Sequence, residues 1–113
     1  MTYHMYISDD SFIKIINGTK KMELRLNNED RSLIDQGDEI IFTDSKTGEI
    51  VKVFVVGTKI FRSYKELSHM IKEYKYDFED KATRNSFCKT MKHFFYKNKD
   101  TSFGVIGINI KIC

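Results

Sequence analysis

Three charged side chains alternate with apolar ones in the run Lys21-Met22-Glu23-Leu24-Arg25-Leu26. In an extended chain, residues i, i+2 and i+4 share a face, so Lys21, Glu23 and Arg25 lie on one side and Met22, Leu24 and Leu26 on the other. Lys20 immediately precedes them. A carboxylate set among cations is expected to be ionised, because opposite charges nearby favour its charged form. By the same argument Lys20 remains an ammonium beside Glu23, suited to holding an oxyanion or a phosphate rather than to acting as a base. Arg25 offers a rigid planar fork that matches a phosphate or a carbonyl-rich base edge. Glu23 would accept from an exocyclic amine. The competing role is purely structural: an exposed sheet face stitched by ion pairs worth about 0–1 kcal/mol each.

A second charged set runs from Lys81 to Lys99, where Lys81, Arg84, Lys89, Lys92, Lys97 and Lys99 occur without an acidic residue. The pattern predicts a helix from about Ala82 to Tyr96 with Phe87, Met91, Phe94 and Phe95 inward. Lys89, Lys92, His93 and Tyr96 avoid that face. Such a surface tracks an RNA backbone and stacks a base on the aromatic; a merely solvated helix face is the plainer alternative. His4, His69 and His93 share no short spacing, and Cys88 and Cys113 lie in no metal-ligand pattern, so neither a metal nor another cofactor is expected. Cys88 and His93, five apart on one helix, point away from each other and make no catalytic pair.

The elements that must position these residues follow from turn signals and periodicity. Met5–Ser8 reads as a short strand. Ser8 with Asp9 and Asp10 makes an N-cap and an acidic first turn. Phe12, Ile15 and Ile16 then mark one helical face, which Asn17-Gly18 ends. After the Lys21–Leu26 strand, Asn27 or Asn28 caps a brief helix through Leu33–Ile34. Gln36-Gly37-Asp38 turns into a strand at Glu39–Thr43, and Ser45–Gly48 turns into another that starts at Ile50 and continues toward Phe61. Ser63-Tyr64-Lys65-Glu66 is a capping box opening a helix with Leu67, Met70, Ile71 and Tyr74 on one face. Phe103–Ile112 closes the chain as a strand. Gly57, Gly104 and Gly107 within strand patterns imply bulges or close backbone approach. About five strands and two to four helices without a βαβ rhythm predict an α+β fold, a small and mostly antiparallel barrel with flanking helices.

Composition bounds the rest. The 113 residues match a single domain spanning 1–113. At 41% hydrophobic, with nine Phe, six Tyr and fourteen Ile, the chain has enough apolar mass for a core. No stretch reaches the roughly 20 apolar residues that span a bilayer, and the N-terminus lacks signal-peptide character, so a cytoplasmic protein without a membrane partner is expected. The net charge of +3 is too small to indicate nucleic acid by itself. The Lys-rich, Pro-free composition is also what an AT-rich coding genome produces. Oligomeric state is not legible.

The ordered pattern Gly18-x-Lys20-x-x-Glu23-x-Arg25, then Gly37-Asp38-x-Ile40, resembles the ASCH domain family. The resemblance extends through the Ser-Tyr-Lys-Glu-Leu helix start, Tyr96 and the closing Phe-Gly-Val-Ile-Gly-Ile-x-Ile strand, covering Tyr3 to Ile112. It implies a PUA-like β-barrel related to RNA-binding modules, with a polar cleft lined by Lys20, Glu23 and Arg25. It further implies RNA or a modified nucleoside as the partner. Some family members are similar to amidohydrolases that remove the acetyl group from N-acetylated cytidine, and others to ribonucleases. In those amidohydrolases a Lys matching Lys20 and a Thr matching Glu23 are catalytic, together with a later Glu that corresponds here to Glu73 or Glu79. Glu23 in place of Thr is a departure from that pattern. The residues expected at the site are thus Lys20 and Glu23 in the catalytic positions, with Lys21, Arg25, Lys89, Lys92 and Tyr96 binding the ligand.

Overall fold

Local signals close each element of the computed structural model, which describes residues 1–73, 81–97 and 103–113. Ser8 Oγ accepts from the Ser11 N–H at 3.3 Å and caps α1, Asp9–Ile16, after strand β1, Thr2–Ile7. Gly18, at φ 76, lets the chain leave α1 in the left-handed region. Strand β2, Met22–Leu26, follows, and Asn28 Oδ1 accepts from the Arg31 N–H at 2.8 Å to start a single 3-10 turn, Arg31–Leu33. Strands β3, Glu39–Asp44, and β4, Ile50–Phe61, form a hairpin. In the capping box, Ser63 Oγ accepts from the Glu66 N–H at 3.2 Å, and Glu66 Oε2 accepts from Arg62 N at 3.1 Å rather than from Ser63. It opens α2, Tyr64–Glu73; α3, Lys81–Lys97, and β5, Val105–Ile112, complete the chain.

The five strands make one curled half-barrel sheet in the order β1-β3-β4-β5-β2. The fold is α+β and mostly antiparallel, as expected; among the described strands β1 and β3 alone pair in parallel. The ladder between β4 and β5 shifts register between Val55 and Gly57, the bulge that Gly57 signals in the sequence.

Two apolar clusters cover opposite faces of this sheet. The inner one gathers Phe12 and Ile15 of α1 with inward residues of four strands, including Ile40, Phe42, Val53, Ile106 and Ile108. The outer one joins Phe61, Leu67, Met70 and Ile71, with Met22, Leu24, Phe87, Met91 and Phe95 packed against it. Thus α2 and α3 lie on the outer face where β2 and β5 meet. Gly104 lies at that junction with φ 57, and a Cβ there would fall 2.2 Å from the Phe61 carbonyl oxygen.

The plain alternative of a solvent-exposed charged face on β2 does not hold for Glu23, which is buried. Met22 and Leu24 face the outer cluster, while Glu23 and Arg25 stand opposite Ile108 and Ile106 on the inner face. Because α2 and α3 cover the outer face, both sides of β2 are enclosed, and alternation alone does not say which side turns inward.

Candidate functional site

Glu23 is 6% exposed, a carboxylate on the inner face of an edge strand. Burial of such a charge requires partners, and two cations supply them. Lys20 Nζ lies 3.1 Å from Oε1, while Arg25 holds Oε2 through Nη2 at 3.1 Å and Nε at 3.3 Å. The side chains of Lys20 and Arg25 are 11% and 21% exposed, so the network is largely shielded from water.

Each cation also reaches another element. Lys20 Nζ donates to Ser11 Oγ of α1 at 3.4 Å, and Arg25 Nη2 donates to the backbone carbonyl of Tyr6 on β1. Strands β1 and β2 are the two edges of the sheet. The Arg25 fork therefore clasps the open side of the half-barrel by a side chain where no backbone ladder exists. Arg31 adds a third cation: its Nη1 donates to Leu26 O at 2.6 Å. Burial pushes the Arg31 guanidinium below the usual arginine range, the charge of Arg25 adds to this, and Glu23 opposes it. Lys20 and Arg25 hold the one buried carboxylate, and Arg31 lies near enough to feel both charges, so positive charge is in excess around it.

A cavity of about 490 Å³ opens at the Lys20 end of β2. Lys20, Lys21 and Lys111 rim it, with Ile15, Val53 and Ile110 as apolar wall. Cationic rim and apolar wall together suit a flat or ribose-bearing group that carries an anion.

The expected residues divide into two groups. Lys20, Glu23 and Arg25 form one ion-pair network, whereas Lys21 is exposed and meets Lys20 only at the cavity rim, which Glu23 and Arg25 do not line. Lys89 and Lys92 do not join them; they are exposed on α3 and line a separate cavity of about 570 Å³ with Thr90 and His93. Helix α3 packs on the outer face and Glu23 and Arg25 face the inner one, so one small ligand does not touch both sets. The side chains of Glu73, Phe94 and Tyr96, and all of Tyr74, Tyr76, Phe78 and Glu79, lie outside what the structure describes. Among the described residues no cluster of His, Cys, Asp or Glu could hold a metal ion, and no helix is long and apolar enough to cross a membrane. Sequence reasoning missed Arg31 and Lys111. Arg31 follows the Asn28 cap in a polar turn with no periodicity to flag it, and Lys111 reads as the solvent-facing residue of an edge-like alternation.

The comparisons with known proteins agree with this architecture. The family model of the ASCH domain matches residues 5–110. The chain belongs to the ASCH domain family. Among solved structures it is similar to the crystal structure of the hypothetical protein PH0355, with 28% identity, a TM-score of 0.75 and 100% of both chains covered. It is also similar to the solution structure of protein PF0455 from Pyrococcus furiosus, at 25% identity and a TM-score of 0.66, covering 99% of this chain and 97% of that one. An ASCH domain from Lactobacillus crispatus, 13% identical, shares the fold at a TM-score of 0.61, over 98% of this chain and 79% of its own. No curated protein matches the chain.

Proposed function

We propose that this ASCH domain binds a nucleotide or a nucleic-acid segment, reading a base or nucleoside beside Lys20, Glu23 and Arg25, with RNA as the polymer. The observation that carries the reading is the buried Glu23 carboxylate held by two cations next to a cavity with three lysines on its rim. Of the network, Lys20 alone reaches the cavity rim; Glu23 and Arg25 do not line it, and Glu23 acts by fixing the Lys20 ammonium there. Lys20, Lys21 and Lys111 are placed to hold phosphate, and the Ile15, Val53 and Ile110 wall takes the base or ribose. On the outer face Lys89 and Lys92 supply backbone contacts to a longer strand. Equilibrium binding of a mononucleotide and of single-stranded RNA, each at several salt concentrations, tests this. RNA affinity falls steeply with salt as counterions are released, and undetectable binding of both at low ionic strength overturns the proposal.

A second reading, an amidohydrolase acting on N-acetylated cytidine, is favoured by one contact. Glu23 replaces the hydroxyl-bearing residue of the resembling hydrolases, but Ser11 Oγ sits 3.4 Å from Lys20 Nζ and returns a hydroxyl to that lysine. In this arrangement Lys20 Nζ donates to Ser11 Oγ, so on this reading it orients the hydroxyl and holds the acyl oxygen. Incubation with N-acetylcytidine separates the two. Release of cytidine that is abolished in Ser11→Ala supports hydrolysis, and intact nucleoside supports binding alone.

A further inference from the structure

The side chains around the cavity beside Lys20 cannot accept a hydrogen bond from a base. Gly18 apart, every one of them is a lysine or aliphatic. A lysine ammonium only donates, and Ile and Val neither donate nor accept. The exocyclic amines of adenine, guanine and cytosine, and the ring N–H of guanine and uracil, all need an acceptor. Much of the nearby backbone is committed as well. The Gly18 N–H donates to the Ile15 carbonyl, the Lys20 N–H donates to the Lys14 carbonyl, and the Lys21 carbonyl accepts from the Ile110 N–H.

What the cavity offers instead is charge beside an apolar floor. Lys20, Lys21 and Lys111 meet at its rim, and no acidic residue lines it. The ladder that sets Met22 opposite Asn109 continues through the Lys21–Ile110 bond, which brings lysines of both chain segments together. Like charges so placed repel one another until an anion joins them. Lys20 is paired with Glu23, whereas no ion pair among the described residues holds Lys21 or Lys111, both exposed. The floor is made by buried Ile15, Val53 and Ile110, and exposed Val56 and Ile112 extend it outward. Unpaired cations next to open aliphatic surface suit a ligand with one apolar face and several negative charges.

We propose that this cavity binds a nucleoside polyphosphate and selects it by phosphate charge and nucleoside shape, without distinguishing one base from another. The polyphosphate bridges Lys20, Lys21 and Lys111, while sugar and base lie on the aliphatic floor. A lysine can also donate to a base carbonyl, but the charged phosphate oxygens make the stronger bonds and hold it. The inference rests on the nucleotide-binding reading of the same site and narrows that reading to a ligand class.

Calorimetric titration of the full chain at low ionic strength tests it, with AMP, ADP and ATP, then GTP, CTP and UTP, and ribose phosphate beside AMP. Affinity rises about threefold with each added phosphate. The four triphosphates bind within about fivefold of one another, because no side-chain acceptor separates them. Ribose phosphate, equal to AMP in charge but without the base, binds about tenfold more weakly. In Lys111→Ala, and in Lys21→Ala as the second variant, the gain from AMP to ATP shrinks by about threefold. Four outcomes overturn the inference while nucleotide binding stands: a preference beyond about fivefold for one base, an affinity indifferent to phosphate number, equal binding of ribose phosphate and AMP, or an undiminished gain in both folded variants. Failure of every nucleotide to bind overturns the nucleotide-binding reading itself, and this inference with it.

Discussion

Glu23 Oε1 and Oε2 each hold one cation, so neutralising this single residue strands two charges in a shielded place. Glu23→Gln is expected to cost about 2–3 kcal/mol of folding stability, below the usual figure for a buried pair because Lys20 and Arg25 keep some access to water. Chemical denaturation measures it. If Glu23 also fixes Lys20 for the ligand, the folded variant binds nucleotide about tenfold more weakly; unchanged affinity would make the residue purely structural. Arg25→Lys tests the clasp. A lysine has no fork with which to hold Glu23 and the Tyr6 carbonyl together, and a loss of about 1–2 kcal/mol is expected. Asp38 gives a pH dependence. The Asp35 N–H, then the N-terminal ammonium, hold its carboxyl below the usual range. Its contribution is therefore present above the unfolded value of about 3.9 and is lost as pH falls through the depressed folded value. Asp38→Asn should flatten the acid limb of a stability–pH curve.

At the scale of elements, α1 shows how much of the fold is written locally. Ser8, Phe12, Ile15 and Gly18 announce its cap, its buried face and its end, and each plays that part. The Gly57 bulge and the Ser63 capping box were equally legible, since their causes lie within a few residues. Strand β2 was not. Its alternation was clear, but the direction of its faces depends on α2 and α3, which arrive some forty residues later. The parallel pairing of β1 with β3 is hidden for the same reason. Within the site, Lys20, Glu23 and Arg25 are close in sequence and so were legible together, while Lys111 reaches the Lys20 cavity only because β5 pairs with β2. Gly104 carries the sharpest element-scale expectation. Gly104→Ala places a Cβ against the Phe61 carbonyl at a positive φ, and should lower stability by about 2 kcal/mol or more by thermal unfolding.

The whole molecule is a curled sheet with different chemistry on its two faces. The inner face carries the buried Glu23 network and the lysine-rimmed cavity, and the outer face carries α3 with Lys89 and Lys92. On the proposed reading a mononucleotide would meet only the inner face, whereas a polymer passing round the β2 edge would meet both. The double variant Lys89→Ala, Lys92→Ala should therefore leave mononucleotide affinity unchanged and reduce the salt slope of RNA binding by about 1.4 for a single strand. Equal loss for both ligands would mean that α3 belongs to the nucleoside site after all.

The most direct measurement is a titration of the isotopically labelled chain with a mononucleotide at low ionic strength, followed by amide chemical shifts, for the wild type and for Lys20→Met. Saturable shifts centred on Lys20, Lys21, Glu23 and Lys111, weakened about tenfold or more by the substitution, are the predicted result. Saturable binding that leaves those four residues unmoved, or that Lys20→Met does not weaken, would contradict the account.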